Sequence, residues 1–137
     1  MNSVIAHADT LPADAPRSHV LTLIEQLGLA SGSQVSQFRF SPTFVVVSAL
    51  HGWAGFRQNP DRRQPLQELE RLCCELAGDP SPSPTLADRI EAALRCGRYA
   101  CASTHFQAVM LRGTGDIRLR FQRAEMMQSL NALLALP

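Results

Sequence analysis

The sequence predicts an α+β fold, a two-layer sandwich in which an antiparallel sheet of two hairpins is covered on one face by amphipathic helices. Three observations carry this expectation. Apolar residues recur at helical spacing in four separate segments. Between them lie stretches that alternate or are rich in β-branched residues, one pair of which brackets Arg112-Gly113-Thr114-Gly115-Asp116. The run Gly78-Asp79-Pro80-Ser81-Pro82-Ser83-Pro84 separates two of the helical segments as an extended connector.

Residues 1–17 hold Pro12 and Pro16 among small and polar residues with no apolar period, and are expected to be a flexible leader. Residues 18–137 are expected to form a single domain. Ser18 offers an N-cap oxygen, and Val20, Leu21, Leu23, Ile24 and Leu27 form one apolar stripe. Gly28 or Gly32 can close this helix. Val35 to Phe40 ends in strand-like alternation, which Ser41-Pro42 breaks. Phe44 to Leu50 favours a strand through its β-branched residues. A helix with Ser41 as N-cap and Pro42 as its first residue is the competing reading of residues 42–57. Gly52-Trp53-Ala54-Gly55 and Asn59-Pro60-Asp61 are expected to be loop.

Pro65 is expected to open the next helix, with Leu66, Leu69, Leu72, Cys73 and Leu76 on its apolar side and Gly78 as its end. After the proline connector, Thr85 and Asp88 are spaced for a capping box at the head of a helix carrying Leu86, Ile90, Ala93 and Leu94. Residues 104–111 and 117–122 then form a hairpin. A final helix carries Met126, Met127, Leu130, Leu133 and Leu134.

The chain has 137 residues and a formal net charge of +1. A domain of this length buries about two thirds of its unfolded surface, so it needs neither metal nor disulfide to fold. All 13 basic residues are arginine, and only 18% of the chain is charged. The first residues carry no basic stretch followed by an apolar one, and no apolar run is long enough for a membrane span. A cytoplasmic protein without membrane insertion is expected.

Candidate chemistry is sparse. Cys96, Cys101 and His105 are spaced C-x4-C-x3-H, with Cys73 available as a fourth zinc ligand. That spacing spans a helix end, so four reduced cysteines and a surface histidine are the expectation, and no metal or cofactor is assigned. Cys101 with His105 or His51 would be the pair for nucleophilic catalysis, but no nucleophile turn flanks them. The carboxylates fall on polar helix faces, in the leader or in turns. Gly113-Thr114-Gly115 joins two strands, whereas a phosphate-binding glycine loop joins a strand to a helix. No catalytic residue is assigned.

The hairpin is the most informative feature. Ile117, Leu119 and Phe121 alternate with Arg118, Arg120 and Gln122, and Phe106, Ala108 and Met110 alternate with His105, Gln107, Val109 and Leu111. With the first sets in the core, the outer face carries His105, Gln107, Val109, Leu111, Arg118 and Arg120. Between Arg95 and Arg123 six arginines stand against Asp116 alone. Arginine stems beside aliphatic side chains suit a protein interface. This face is therefore the expected site for a protein partner, either another chain or a second copy in a homodimer. Nucleic acid is disfavoured, because the face lacks stacking aromatic rings and the net charge is small.

The element order of helix, strands, helix, strands, helix resembles that of the small type III secretion chaperones, which are dimers that hold a partner chain in extended form. The opening helix around Leu21 to Leu29 and the final hairpin with its helix carry the likeness. The helix after Pro65 and the near-neutral charge depart from it. The resemblance implies a non-catalytic protein-binding module, adaptor or chaperone-like, serving a larger bacterial assembly. A nucleic-acid-binding regulator and a small enzyme are the alternatives.

Overall fold

A computed structural model describes residues 15–51 and 57–136. Its elements are α1 (Ala15–Gln26), a 3-10 turn (Gly32–Gln37), β1 (Thr43–Val46), β2 (Leu50–His51), β3 (Arg57–Gln58), α2 (Pro60–Ala77), α3 (Leu86–Arg95), β4 (Ala100–Ala102), β5 (Phe106–Leu111), β6 (Asp116–Phe121) and α4 (Ala124–Leu134). The protein is α+β, with helices packed against one face of a four-stranded antiparallel sheet ordered β1-β6-β5-β4. β2 and β3 form a separate two-stranded ribbon.

The sheet is assembled differently from two side-by-side hairpins. The expected β5–β6 hairpin forms, with Phe106 opposite Phe121 and Leu111 opposite Asp116. β1 then pairs antiparallel with β6, with Thr43 opposite Arg120 and Val46 opposite Ile117. The expected partner of β1, residues 35–40, is no strand. Residues up to Gln37 turn in the 3-10 segment, and the backbone of Phe40 bonds to a side chain: its N–H donates to Asn131 Oδ1 at 2.8 Å and its C=O accepts from Asn131 Nδ2 at 3.0 Å. That clamp, together with edge-on packing of Phe40 against Phe38, Phe44 and Phe121, fixes the entry to β1 from α4. Residues 42–57 hold strands where they are described, which sets aside the competing helix; Trp53 and Gly52 to Gly55 lie outside the described residues.

Helix boundaries shift for identifiable reasons. α1 begins at Ala15, so Pro16 sits in the first turn, where its missing N–H costs nothing, and Ser18 lies inside the helix rather than capping it. Residues 15–17 thus belong to the domain, and the leader expected over 1–17 otherwise falls outside the described residues. α2 starts at Pro60 instead of Pro65. Asn59 is its N-cap, accepting from the Asp61 N–H at 2.9 Å, and Pro65 is buried within the helix. The Thr85/Asp88 capping box is complete, with Asp88 N–H donating to Thr85 Oγ1 at 3.1 Å and Thr85 N–H to Asp88 Oδ2 at 3.3 Å.

One core joins all these elements. Val20 and Ile24 of α1, Leu27 just after it, and Leu130 and Leu134 of α4 pack with Leu66 and Leu69 of α2 and with Ile117, Leu119, Phe106 and Phe44 of the sheet. Arg17 Nε donates to Leu134 C=O at 3.3 Å, tying the first helix to the last. Arg62 ties α1 to β1: its guanidinium donates to Gln26 C=O at the end of α1 and, from Nε at 3.1 Å, to Val47 C=O just past β1. Gly28 lies under that guanidinium at φ +72°, where a Cβ would come 2.8 Å from Arg62 Nη2.

Candidate functional site

The inner and outer faces of the sheet follow from the period of two in its strands. Phe44, Val46, Ile117, Leu119, Phe121, Phe106, Ala108 and Met110 are buried. The opposite face is built in rows by the pairing registers. One row runs Val45, Arg118, Val109 and Ala100, and the next Thr43, Arg120, Gln107 and Ala102. Thr43, Gln107, Val109, Arg118 and Arg120 line a shallow depression of ≈ 350 Å³.

Five of the six residues expected on this face lie there, and their exposure differs. Gln107, Arg118 and Arg120 are exposed, while Val109 and Leu111 are half-buried within the row of their neighbours. Arg118 and Arg120 take part in no ion pair among the described residues. Asp116, on the same strand, is engaged, accepting from the Ser48 N–H at 2.8 Å.

His105 does not belong to this face. It is 1% exposed, and its Nε2 stands 2.9 Å from Asp79 Oδ2 at the start of the proline connector. The strand alternation stops one residue short of it: β5 begins at Phe106, and His105 sits in the bend between β4 and β5. In exchange the face gains Thr43 and Val45, the latter 36% exposed. Their shared parity was visible in the sequence. Which face they would join depended on β1 pairing with β6, a contact across more than seventy residues that periodicity alone does not encode.

A second polar cluster lies between the helices and the connector. Glu70, on α2, is 1% exposed and accepts from the Leu86 N–H at 2.7 Å, at the first turn of α3. Burial pushes its carboxyl above the ordinary carboxylate range, opposed by the hydrogen bond from the Leu86 N–H, the nearby Ser103 hydroxyl and the Arg89 charge. Nearby, Arg63 Nη2 lies 2.7 Å from Asp88 Oδ1 and 3.2 Å from Glu91 Oε1. The Thr85 N–H holds the Asp88 carboxyl below its usual range, with Arg63 adding to the effect. These groups join α2 to the start of α3. Glu70, Cys74, Asp79 and Arg89 also line an open cleft of ≈ 320 Å³ under the connector.

The cysteines are scattered. Cys73 and Cys74 are buried on α2, Cys101 is half-buried on β4 and Cys96 is exposed after α3; all four are free thiols. Burial raises the pKa of Cys73, Cys74 and Cys101, which disfavours the thiolate that both metal binding and nucleophilic attack require. Among the described residues no three His, Cys, Asp or Glu side chains gather where a metal ion could sit, so Cys96, Cys101 and His105 are not brought together as ligands. The side chain of His51 lies outside the described residues. No described helix is long and apolar enough to cross a membrane. No protein-family model, curated protein or solved structure matches this chain.

Proposed function

We propose that this protein is a non-catalytic protein-binding module, an adaptor, chaperone-like or regulatory component of a larger bacterial assembly, acting in the cytoplasm. It holds an acidic segment of another chain on the outer face of its sheet. The observation that carries this reading is the row Val45, Arg118, Val109, in which an exposed guanidinium with no ion pair among the described residues stands between two valines on a face that no described helix covers. Arg120 extends the same charge into the next row. Arginine at such a place offers directional, charge-assisted bonds to carboxylates, and its stem and the valines supply apolar area.

The test is the double variant Arg118→Ala with Arg120→Ala. Exposed substitutions of this kind are expected to move stability by no more than about 0.5 kcal/mol, so the melting temperature should hold. Proteins captured by the wild-type chain from the source cell are identified by mass spectrometry and remade in pure form. Binding of the purified partner should weaken roughly tenfold or more in the double variant, the loss expected for an interface anchor. Unchanged affinity would overturn the reading. Tight binding of a single-stranded oligonucleotide that collapses steeply with salt would replace it with nucleic-acid recognition, and sedimentation distinguishes a second copy from a different chain.

A further inference from the structure

We propose that the acidic partner segment binds as an added strand along the free edge of β1, through the main chain of Thr43 and Val45. This rests on the reading of the outer face given above and specifies how the segment is held. The hydrogen-bond parity of β1 is fixed by the bond from Phe121 N–H to Pro42 C=O. In an antiparallel pair with this register, residues 42, 44 and 46 face β6, so the N–H and C=O of Thr43 and of Val45 point away from the sheet. β1 is the end strand, and among the described residues nothing bonds to these four groups. The window is bounded. Pro42 stands at one end, and at the other the C=O of Val47, next in the same parity, is already taken by Arg62 Nε.

Edge strands are usually protected by a charge, a proline within the strand or a bulge. Thr43-Phe44-Val45-Val46-Val47 has none of these and is rich in β-branched residues, so it is shaped to accept a strand. Val45 of the host strand stands exposed on the outer face beside the edge, and Val47, just past the strand, is exposed at its end. A fifth strand would lie about 4.8 Å beyond β1 and about 9.6 Å from β6. Over that span an arginine on β6 and a glutamate on the added strand can meet above Val45. The charge complement is therefore a strand with carboxylates on its outer-face positions. A second copy of this chain is the weaker occupant. The open edge is short, so two copies joined there alone would bury a few hundred Å² at most, against about 1,200 Å² for a stable interface. An extended peptide needs less, because its main-chain bonds supply much of the affinity and its alternate side chains the specificity.

The probe is a short fluorescein-labelled peptide of alternating glutamate and valine, capped at both ends, with a lysine–valine peptide as its control. Binding is read by anisotropy on the full chain. The decisive variant is Val45→Pro. It removes an N–H directed at the free edge and leaves the β1–β6 bonds of residues 44 and 46 intact, a position where proline is tolerated. Ala102→Pro makes the same change on β4, the opposite edge. Melting temperatures check that all variants fold. We expect the glutamate peptide to bind and the lysine peptide to fail. Val45→Pro should lose at least tenfold, Ala102→Pro should match wild type, and Arg118→Ala with Arg120→Ala should weaken binding. If the arginine variant loses the peptide and a folded Val45→Pro keeps it, strand addition is overturned and the outer face survives. If Ala102→Pro alone loses it, the strand adds at β4 and the proposal is wrong. If wild type does not bind the peptide, strand addition is overturned, and the outer face then stands or falls with the purified partner.

Discussion

Replacing Asn131 by alanine should destabilise this protein through residues far away in sequence. Asn131 is on α4, and its amide serves both backbone groups of Phe40, at 2.8 and 3.0 Å. Alanine removes both partners at once. A buried backbone group left unpaired costs about 1–3 kcal/mol, and these two are partly buried, so the lower end applies to each and the sum is about 2 kcal/mol. For a domain of this size that corresponds to a fall in melting temperature of about 6–10 °C. Asn131→Asp keeps the acceptor and loses the donor, so it should cost about half as much. Thermal and urea unfolding measure the loss, and hydrogen exchange at the Phe40 amide shows where it arises. Because Phe40 leads directly into β1, the exchange of β1 amides should rise in the same variant. A change in stability below about 0.5 kcal/mol, or unchanged protection at Phe40, would refute the clamp.

Two further outcomes follow from buried charge and backbone geometry. Glu70 has its carboxyl pKa raised by burial, so the folded state binds its proton more tightly than the unfolded chain. Its contribution is fully present below the ordinary carboxylate pKa and is lost as pH rises through the raised value. Glu70→Gln should therefore hold or raise stability at neutral pH and flatten the pH slope over that window. Glu70→Ala, which orphans the Leu86 N–H, should cost about 1–3 kcal/mol, and a pH series of melting curves separates the two. Gly28→Ala combines a left-handed backbone with a Cβ pressed on Arg62, and should cost about 1–2 kcal/mol from the backbone alone. In a cycle with Arg62→Ala the two losses should add to less than their sum, because removing the guanidinium also removes the clash; strict additivity would contradict the contact.

What the sequence made legible was local. The hairpin at Gly113 to Asp116, most of the helical stripes and the Thr85/Asp88 capping box depend on residues close in the chain and formed as their patterns implied, although Leu76, expected on the apolar side of α2, is 41% exposed. What it hid was decided by distant partners. Val35 to Phe40 alternates like a strand, yet residues up to Gln37 turn in the 3-10 segment and Asn131 satisfies the backbone of Phe40. Pro65 looks like a helix start, but Asn59-Pro60 supplies an earlier one in which the side chain caps the first turn. His105 sits next to an alternating run whose period, continued by one residue, would put it on the outer face. One residue decided the matter, since β5 starts after it and Asp79 faces it from the connector.

The same division explains why the candidate site was half visible. Arg118 and Arg120 stand on β6, whose inner and outer sides were set by the local period of two, so their exposure could be read directly. Val45 acquires meaning only when β1 docks on β6, because that docking places it directly beside Arg118. It also makes β1 an end strand and turns the main chain of Thr43 and Val45 outward. An isolated β-branched strand is ordinary core material. Brought to the edge of a sheet, with Arg62 and Pro42 limiting its open length and two arginines on the neighbouring strand, it becomes a selective surface. The core and the Asn131 and Arg62 clamps hold β1 from its inner side and both ends, so the strand can remain rigid while its outer side stays open. Rigidity lowers the entropy cost of capturing a flexible segment, which is the condition under which a short edge can bind usefully at all.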